Sequence, residues 1–186
     1  MLLRILTSER QVCGYDRSRQ MLTIAQKDPA LAQVPLKVGD LLQEPPFHGP
    51  FDLVTCIHDS LNYLVTDEEL VYFFGAVAAR LSPDGIFLFD LNDQRLYRAR
   101  DGLSQLHLIQ GVPFRETFVL EEGPPLMGIT TFSFPAGTEE HRQRGWEQDE
   151  VEALLTDAGL HVVDTMDTIS LETEEATGKV VYIATV

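Results

Sequence analysis

Residues 11–16 read QVCGYD, and the fold turns on how this short run is read. Val12 and Cys13 are the apolar residues of a short buried strand. Gly14 lets the backbone come close to a ligand, and Asp16 is an acid at the strand's C-terminal tip. In nucleotide-binding α/β folds an acid at that place holds ribose hydroxyls. It ordinarily follows a glycine-rich loop by about 20 residues. Here ten residues precede the run and none of them is glycine. The run is either part of a nucleotide site whose first half is missing or no site at all.

Upstream, residues 1–9 read as the end of a helix, with Leu2, Leu3, Ile5 and Leu6 on one apolar side. Downstream, residues 18–28 place Met21, Leu22 and Ala25 at helical spacing, with Ser18 as N-cap and Pro29 closing the helix. PLKVGD (35–40) is a second short strand. FDLVTCI (51–57) is a third, almost continuously apolar, as a strand buried on both faces should be. Residues 66–81 form an amphipathic helix in which Thr66 and Glu69 make a capping box. SPDG (82–85) reads as a turn and IFLFDLN (86–92) as a fourth buried strand. Strands alternating with helices mean βαβ units and a mainly parallel sheet.

The pattern changes after residue 104. Four alternating segments between 105 and 146, separated by GVP, EGPP and PAGT, read as an antiparallel β insertion. Residues 147–160 restore a helix, with Val151, Leu154 and Leu155 on one side and Gly159 at its C-cap. Strands 161–169 and 179–186 close the chain as a pair around EEATG. The expectation is one domain over residues 1–186.

Composition sets outer bounds. With 186 residues, 44% hydrophobic and 23% charged, the chain has the make-up of a globular domain. No apolar run approaches the ~20 residues of a membrane span, and the N-terminus lacks a signal-peptide cleavage pattern. Cys13 and Cys56 both lie in apolar strand-like runs and read as buried thiols of a reducing compartment, so a cytoplasmic location is expected. The net charge of −15 disfavours nucleic-acid and anionic-membrane partners; it either suits a cationic or amine substrate or simply keeps the chain in solution. The scattered histidines lack metal-ligand spacing, and no metal is expected.

Four features fall at the C-terminal tips of the parallel strands, where open α/β sheets bind ligands: GYD (14–16), GDLL (39–42), CIHDSLNYL (56–64) and FDLN (89–92). Their order resembles the class I S-adenosylmethionine-dependent methyltransferases, over residues 1–92 and again over 146–186. VCGYDRSRQML looks like that family's second strand, ribose-binding acid and following helix, and GDLL like its adenine segment. FDLVTCIHDSLNYL looks like the fourth strand with the loop beside the reactive methyl. LSPDGIFLFDLN looks like the fifth strand, and EVEALLTDAGLHVV like the helix and strand after it. The resemblance implies a Rossmann-like α/β fold, mostly parallel with an antiparallel last strand, and S-adenosylmethionine as cofactor. It also implies a small-molecule substrate, with the β insertion on the substrate side. The family's first strand and G-x-G-x-G loop would lie directly upstream of Met1, so the central strand of the sheet is expected to be missing. Such a gap exposes strand edges that a partner chain, for example in a dimer, would cover.

The resemblance assigns roles residue by residue. Asp16 would accept hydrogen bonds from the ribose hydroxyls; its alternative is a helix N-cap. Met21 would pack on the adenine or ribose, or else in the core. Asp40 would meet the adenine amino group, with Leu41 giving a backbone contact. Cys56, Ile57 and His58 would pass beside the methionine portion. His58 is the candidate base, and Asp59, Asn62 and Tyr63 are candidates to orient an amine or hydroxyl. Asn92 and Asp93 would flank the substrate mouth. His141, Arg142, Arg144 and Trp146 would cover the substrate or else stand as exposed strand residues. Two other readings compete with the enzyme: a methyltransferase-like binding or scaffold module, and an NAD-linked oxidoreductase. Asp16 and Asp40 oppose the scaffold, which needs neither. The segments after GYD fit the oxidoreductase poorly.

Overall fold

The structure, a computed structural model, describes residues 10–169 and 176–186; the helix expected over 1–9 and part of EEATG lie outside them. The chain divides into two compact units at Pro50/Phe51.

In the first unit, β1 (Gly14–Asp16) and β2 (Leu36–Val38) pair in parallel, Asp16 opposite Val38. Between them runs α1 (Arg19–Ala25), whose Ser18 hydroxyl accepts the Met21 N–H at 3.3 Å. The short α1 fits an Asx-type start, because Asp16 Oδ1 also takes the Ser18 N–H at 2.7 Å.

The second unit holds two sheets. The first has the order β3–β4–β10–β9, from β3 (Phe51–Cys56), β4 (Leu81–Asn92), β9 (His161–Ile169) and β10 (Ala176–Thr185). β3 runs parallel to β4, and β10 is antiparallel to both β4 and β9. The described parallel strands thus fall in two sheets, β1 with β2 and β3 with β4.

Helix α2 (Asp67–Ala78) carries the expected capping box between Thr66 and Glu69. It buries Leu70, Phe73, Phe74 and Val77, the i, i+3, i+4, i+7 stripe. Phe74 meets Phe89 at 5.5 Å between centroids, and Phe89 stacks on Tyr182 of β10 at 4.8 Å. This aromatic ladder anchors β4, the strand that carries the site's central acid. Burying each ring contributes about 1.5–3 kcal/mol.

The SPDG segment is not a free turn. It bulges within β4, because Phe51 pairs with Leu81 while Leu53 pairs with Ile86. Gly85 is required there: a Cβ would stand 2.7 Å from the Phe51 carbonyl oxygen. A helix that the sequence reading did not contain, α3 (Gln94–Arg100), follows β4.

The insertion forms its own antiparallel sheet: β5 (Ser104–Ile109), β6 (Val112–Glu121), β7 (Met127–Phe134) and β8 (Gly137–Arg144), in sequence order. Helix α4 (Gln148–Asp157) then leads through Gly159, at φ +82°, into β9. That positive φ is the left-handed C-cap expected for this glycine.

Candidate functional site

In the first unit, the acids at the two strand tips are held by local turns. Asp16 is exposed, and Oδ1 closes the turn onto Ser18. Asp40 is half-buried, and its Oδ1 accepts the Leu42 N–H at 2.9 Å. Leu41 between them is half-buried. Among the described residues the second oxygen of each carboxylate makes no hydrogen bond within the protein. An acceptor left open at a parallel strand's C-terminal end suits a ribose hydroxyl or an exocyclic amine. Met21 is 56% exposed, which removes core packing as its role and leaves its side chain available to a flat ligand.

In the second unit, the tip of β3 is built by long-range bonds. His58 and Asp59 adopt consecutive left-handed conformations, φ 66° and 60°, which non-glycine residues rarely take. Their two backbone N–H groups donate to one carboxylate: His58 N to Asp90 Oδ2 at 3.1 Å, and Asp59 N to Asp90 Oδ1 at 2.8 Å. Asp90 lies on β4 and is only 6% exposed. Lys179 of β10 neutralises it, with Nζ 3.3 Å from Asp90 Oδ2 and paired with Asp59 as well. Burial works against the Lys179 charge, but the two carboxylates outweigh it and hold its pKa above the ordinary lysine value. The imidazole of His58 stays exposed.

Asn62 completes the lock. It is 0% exposed; Nδ2 donates to the Asn92 and Arg144 carbonyls at 2.8 and 2.7 Å, and Oδ1 accepts the Asn92 N–H at 3.0 Å. With its amide committed to backbone, it fixes the loop and is not placed to orient a substrate. Tyr63, by contrast, is partly exposed, and its hydroxyl is 2.6 Å from His141 Nδ1. Burial first, then Asp90, pushes the Cys56 thiol up to about 12, with the Ser60 hydroxyl opposing. Ile57 gives its carbonyl to that same hydroxyl at 3.1 Å.

Several expected mouth residues are structural. Asp93 caps α3 through the Leu96 N–H at 3.1 Å and binds Arg95. Arg144 is 8% exposed, lies over Trp146 at 3.5 Å and pairs with Asp67 and Glu150, so both residues belong to the core. Neither the cover nor the exposed-strand reading holds for them: a guanidinium paired twice and stacked on an indole is satisfied inside. Arg142 stands on the surface and binds Glu121. Asp90 and Lys179 are the site residues that sequence reading missed. The acid within FLFDLN was the visible signal, but its partners lie far along the chain.

Among the described residues no helix is long and apolar enough to cross a membrane, and no cluster of three or more His, Cys, Asp or Glu is arranged to hold a metal.

Residues 1–85 match a family described as a methyltransferase domain. The chain is 36% identical over 91 residues to YqeM of Bacillus subtilis (strain 168), provisionally named a methyltransferase, covering 48% of this chain and 37% of that one. It is 28% identical to a similarly named protein, GWCH70_2453 of Geobacillus sp. (strain WCH70), over 93% of this chain and 74% of that one. The chain therefore spans little more than a third of one relative and about three quarters of the other.

Among solved structures, an S-adenosylmethionine-dependent methyltransferase from Clostridium acetobutylicum superposes with a TM-score of 0.81 at 23% identity, over 98% of this chain and 77% of that one. CalS10 of Micromonospora echinaspora, an amino pentose methyltransferase solved with S-adenosylmethionine bound, superposes with a TM-score of 0.63 at 23% identity, over 94% and 73%. The first 85 residues thus match a methyltransferase-domain family, and the fold is the one found in solved S-adenosylmethionine-dependent methyltransferases.

Proposed function

We propose that the protein transfers a methyl group from S-adenosylmethionine to an amine or hydroxyl of a small molecule. The observation that carries this reading is the tip of β3, where a buried carboxylate and a lysine hold two consecutive left-handed residues in place. Strain of this kind collects at functional sites and persists only where the surroundings over-determine it. The open acids Asp16 and Asp40 support the cofactor half: ribose hydroxyls to Asp16, the adenine amino group to Asp40, with Met21 and Leu41 against the nucleoside. Cys56, Ile57 and His58 run beside the methionine portion. CalS10's action on an amino pentose, together with a net charge of −15, favours an amine over a hydroxyl.

When bound, the cofactor supplies a methyl group on a positively charged sulfur. Asp16 and Asp40 would hold its nucleoside, and the methyl would be presented in line to an amine nitrogen at the tip of β3. The displaced N–H proton goes to the exposed His58 imidazole, while Asp59 and Tyr63 orient the amine. The 1–186 chain then works as one methyltransferase domain with the insertion on the substrate side.

Calorimetric titration of S-adenosylhomocysteine into the wild type and Asp16→Ala tests the reading. Binding by the wild type and its loss in the variant is expected. No binding by a folded wild type, or equal binding by both, overturns it. Binding without methyl transfer to any of a panel of amines and alcohols would instead support the non-catalytic module.

A further inference from the structure

One face of the insertion sheet has two unlike ends. At one end α3 closes over it: Tyr97, Phe118 and Leu126 are 0%, 1% and 2% exposed, with Tyr97 and Phe118 centroids 5.5 Å apart. At the other end the same face continues as rings left partly in solvent. Phe114 sits 5.1 Å from Phe134 and 6.0 Å from Phe132. His107 stacks on Phe114 at 4.9 Å, and His141 meets Phe132 edge-on at 5.4 Å. The strand registers put all five side chains on one face.

Both imidazoles are held in fixed orientations. His107 Nε2 is 2.9 Å from Glu116, which Arg100 also binds. His141 Nδ1 is tied to Tyr63 at 2.6 Å. Tyr63 ends the loop that Asp90 fixes, and Gln143 of β8 donates to the Asp59 carbonyl at 3.3 Å. The open aromatic end is therefore continuous with the β3 loop. A carboxylate stands at its rim: Glu139 lies 3.9 Å from His141 Nε2, while the Arg100 guanidinium is taken up by Glu116. Aromatic faces, oriented imidazoles and an acidic rim complement a cation with an apolar ring.

We propose that this open end selects the substrate and takes a small ring-bearing amine. The ring lies against Phe114 and Phe132, and the amino group points toward the Tyr63–His141 pair and the β3 loop. The assignment rests on the methyltransferase reading for what becomes of the amine, while the surface itself binds without the cofactor.

The test is titration of benzylamine, benzyl alcohol and n-butylamine into the wild type, Phe114→Ala, His141→Gln and Val119→Ala, with folding checked by circular dichroism. Val119 lies on the opposite face of the sheet. Phe114→Leu, which keeps volume without a π face, replaces Phe114→Ala should the latter unfold. Benzylamine is expected to bind the wild type at least about fivefold more tightly than the other two probes. That preference should disappear in the Phe114 and His141 variants and persist in Val119→Ala. Equal binding of benzylamine and benzyl alcohol, or a preference untouched by both variants, overturns the proposal. S-adenosylhomocysteine titrated into the same samples separates the two readings. Nucleoside binding without amine preference defeats the surface alone, and amine preference without nucleoside binding defeats the methyltransferase reading alone.

Discussion

At the tips of β1 and β2, each acid closes a turn on a backbone N–H only two residues away. At the tip of β3, two backbone N–H groups reach a carboxylate 32 and 31 positions along the chain, and that carboxylate meets a lysine on the last strand. Local turns need little beyond the few residues that form them, and they leave the second carboxylate oxygen open. The long-range lock is rigid, but it exists only when β3, β4 and β10 are assembled. The two regions therefore divide the work physically. One leaves a carboxylate oxygen of each acid without a bond among the described residues; the other keeps a strained loop in a single conformation.

Breaking the lock should have the largest effect. Asp90→Ala leaves two part-buried N–H groups unpaired and takes one carboxylate from Lys179, and we expect a loss of about 2–4 kcal/mol in denaturant unfolding. Asp16→Ala should cost under about 1 kcal/mol, the scale of a local cap, while abolishing cofactor binding. Comparable stabilities for the two variants would erase the contrast. Asn62→Ala follows, with three backbone hydrogen bonds lost from a fully buried site and an expected cost of about 2–4 kcal/mol.

Two smaller effects sharpen the contrast. The folded-state pKa of Lys179 is raised, so its stabilising contribution is complete below the unfolded lysine value of about 10.4 and is lost as pH rises through the folded value. Unfolding free energies measured at pH 9, 10 and 11 should fall in the wild type, and the fall should flatten in Lys179→Met. Cysteine reactivity separates the units in a different way. Burial raises the pKa of both thiols, but Cys56 reaches about 12. Iodoacetamide at pH 8.5 should therefore modify Cys13 first; the reverse order would contradict the burial at the end of β3. The smallest change expected is from Tyr97→Phe. Among the described residues the buried Tyr97 hydroxyl has no partner in good hydrogen-bonding geometry, the Asn92 side chain interacting with it only weakly, so its removal should leave stability within about 0.5 kcal/mol or raise it.

Much of the fold could be read before any coordinates. The 70/73/74/77 stripe and the capping box placed α2, and continuous apolar runs placed β3 and β4. Glycine-acid pairs marked the tips of β1 and β2. Local signals of this kind survive in sequence because their partners lie within a turn or a strand. SPDG misled because turn chemistry also serves a bulge, where Gly85 clears the Phe51 carbonyl. Helix α3 was missed because its segment QRLYRAR is dominated by arginine and shows no apolar stripe, although Asp93 was a readable cap. Arg144 and Trp146 read as substrate cover or as exposed strand residues because their burial depends on Asp67 and Glu150 elsewhere in the chain. Asp90 was visible as an acid inside an apolar run, but nothing nearby in sequence named the two N–H groups that it serves.

The shared lysine also orders events in time. Lys179 follows Asp59 by 120 positions, and at about 5–20 residues per second a ribosome needs at least several seconds to cover that distance. During that interval Asp59 and Asp90 exist as two nearby carboxylates with no cation between them, so the β3 loop on a nascent chain is held only by bonds that β10 has not yet reinforced. The loop becomes a finished part only when β10 clears the exit tunnel, which ties the birth of the site to a strand made long after the loop itself.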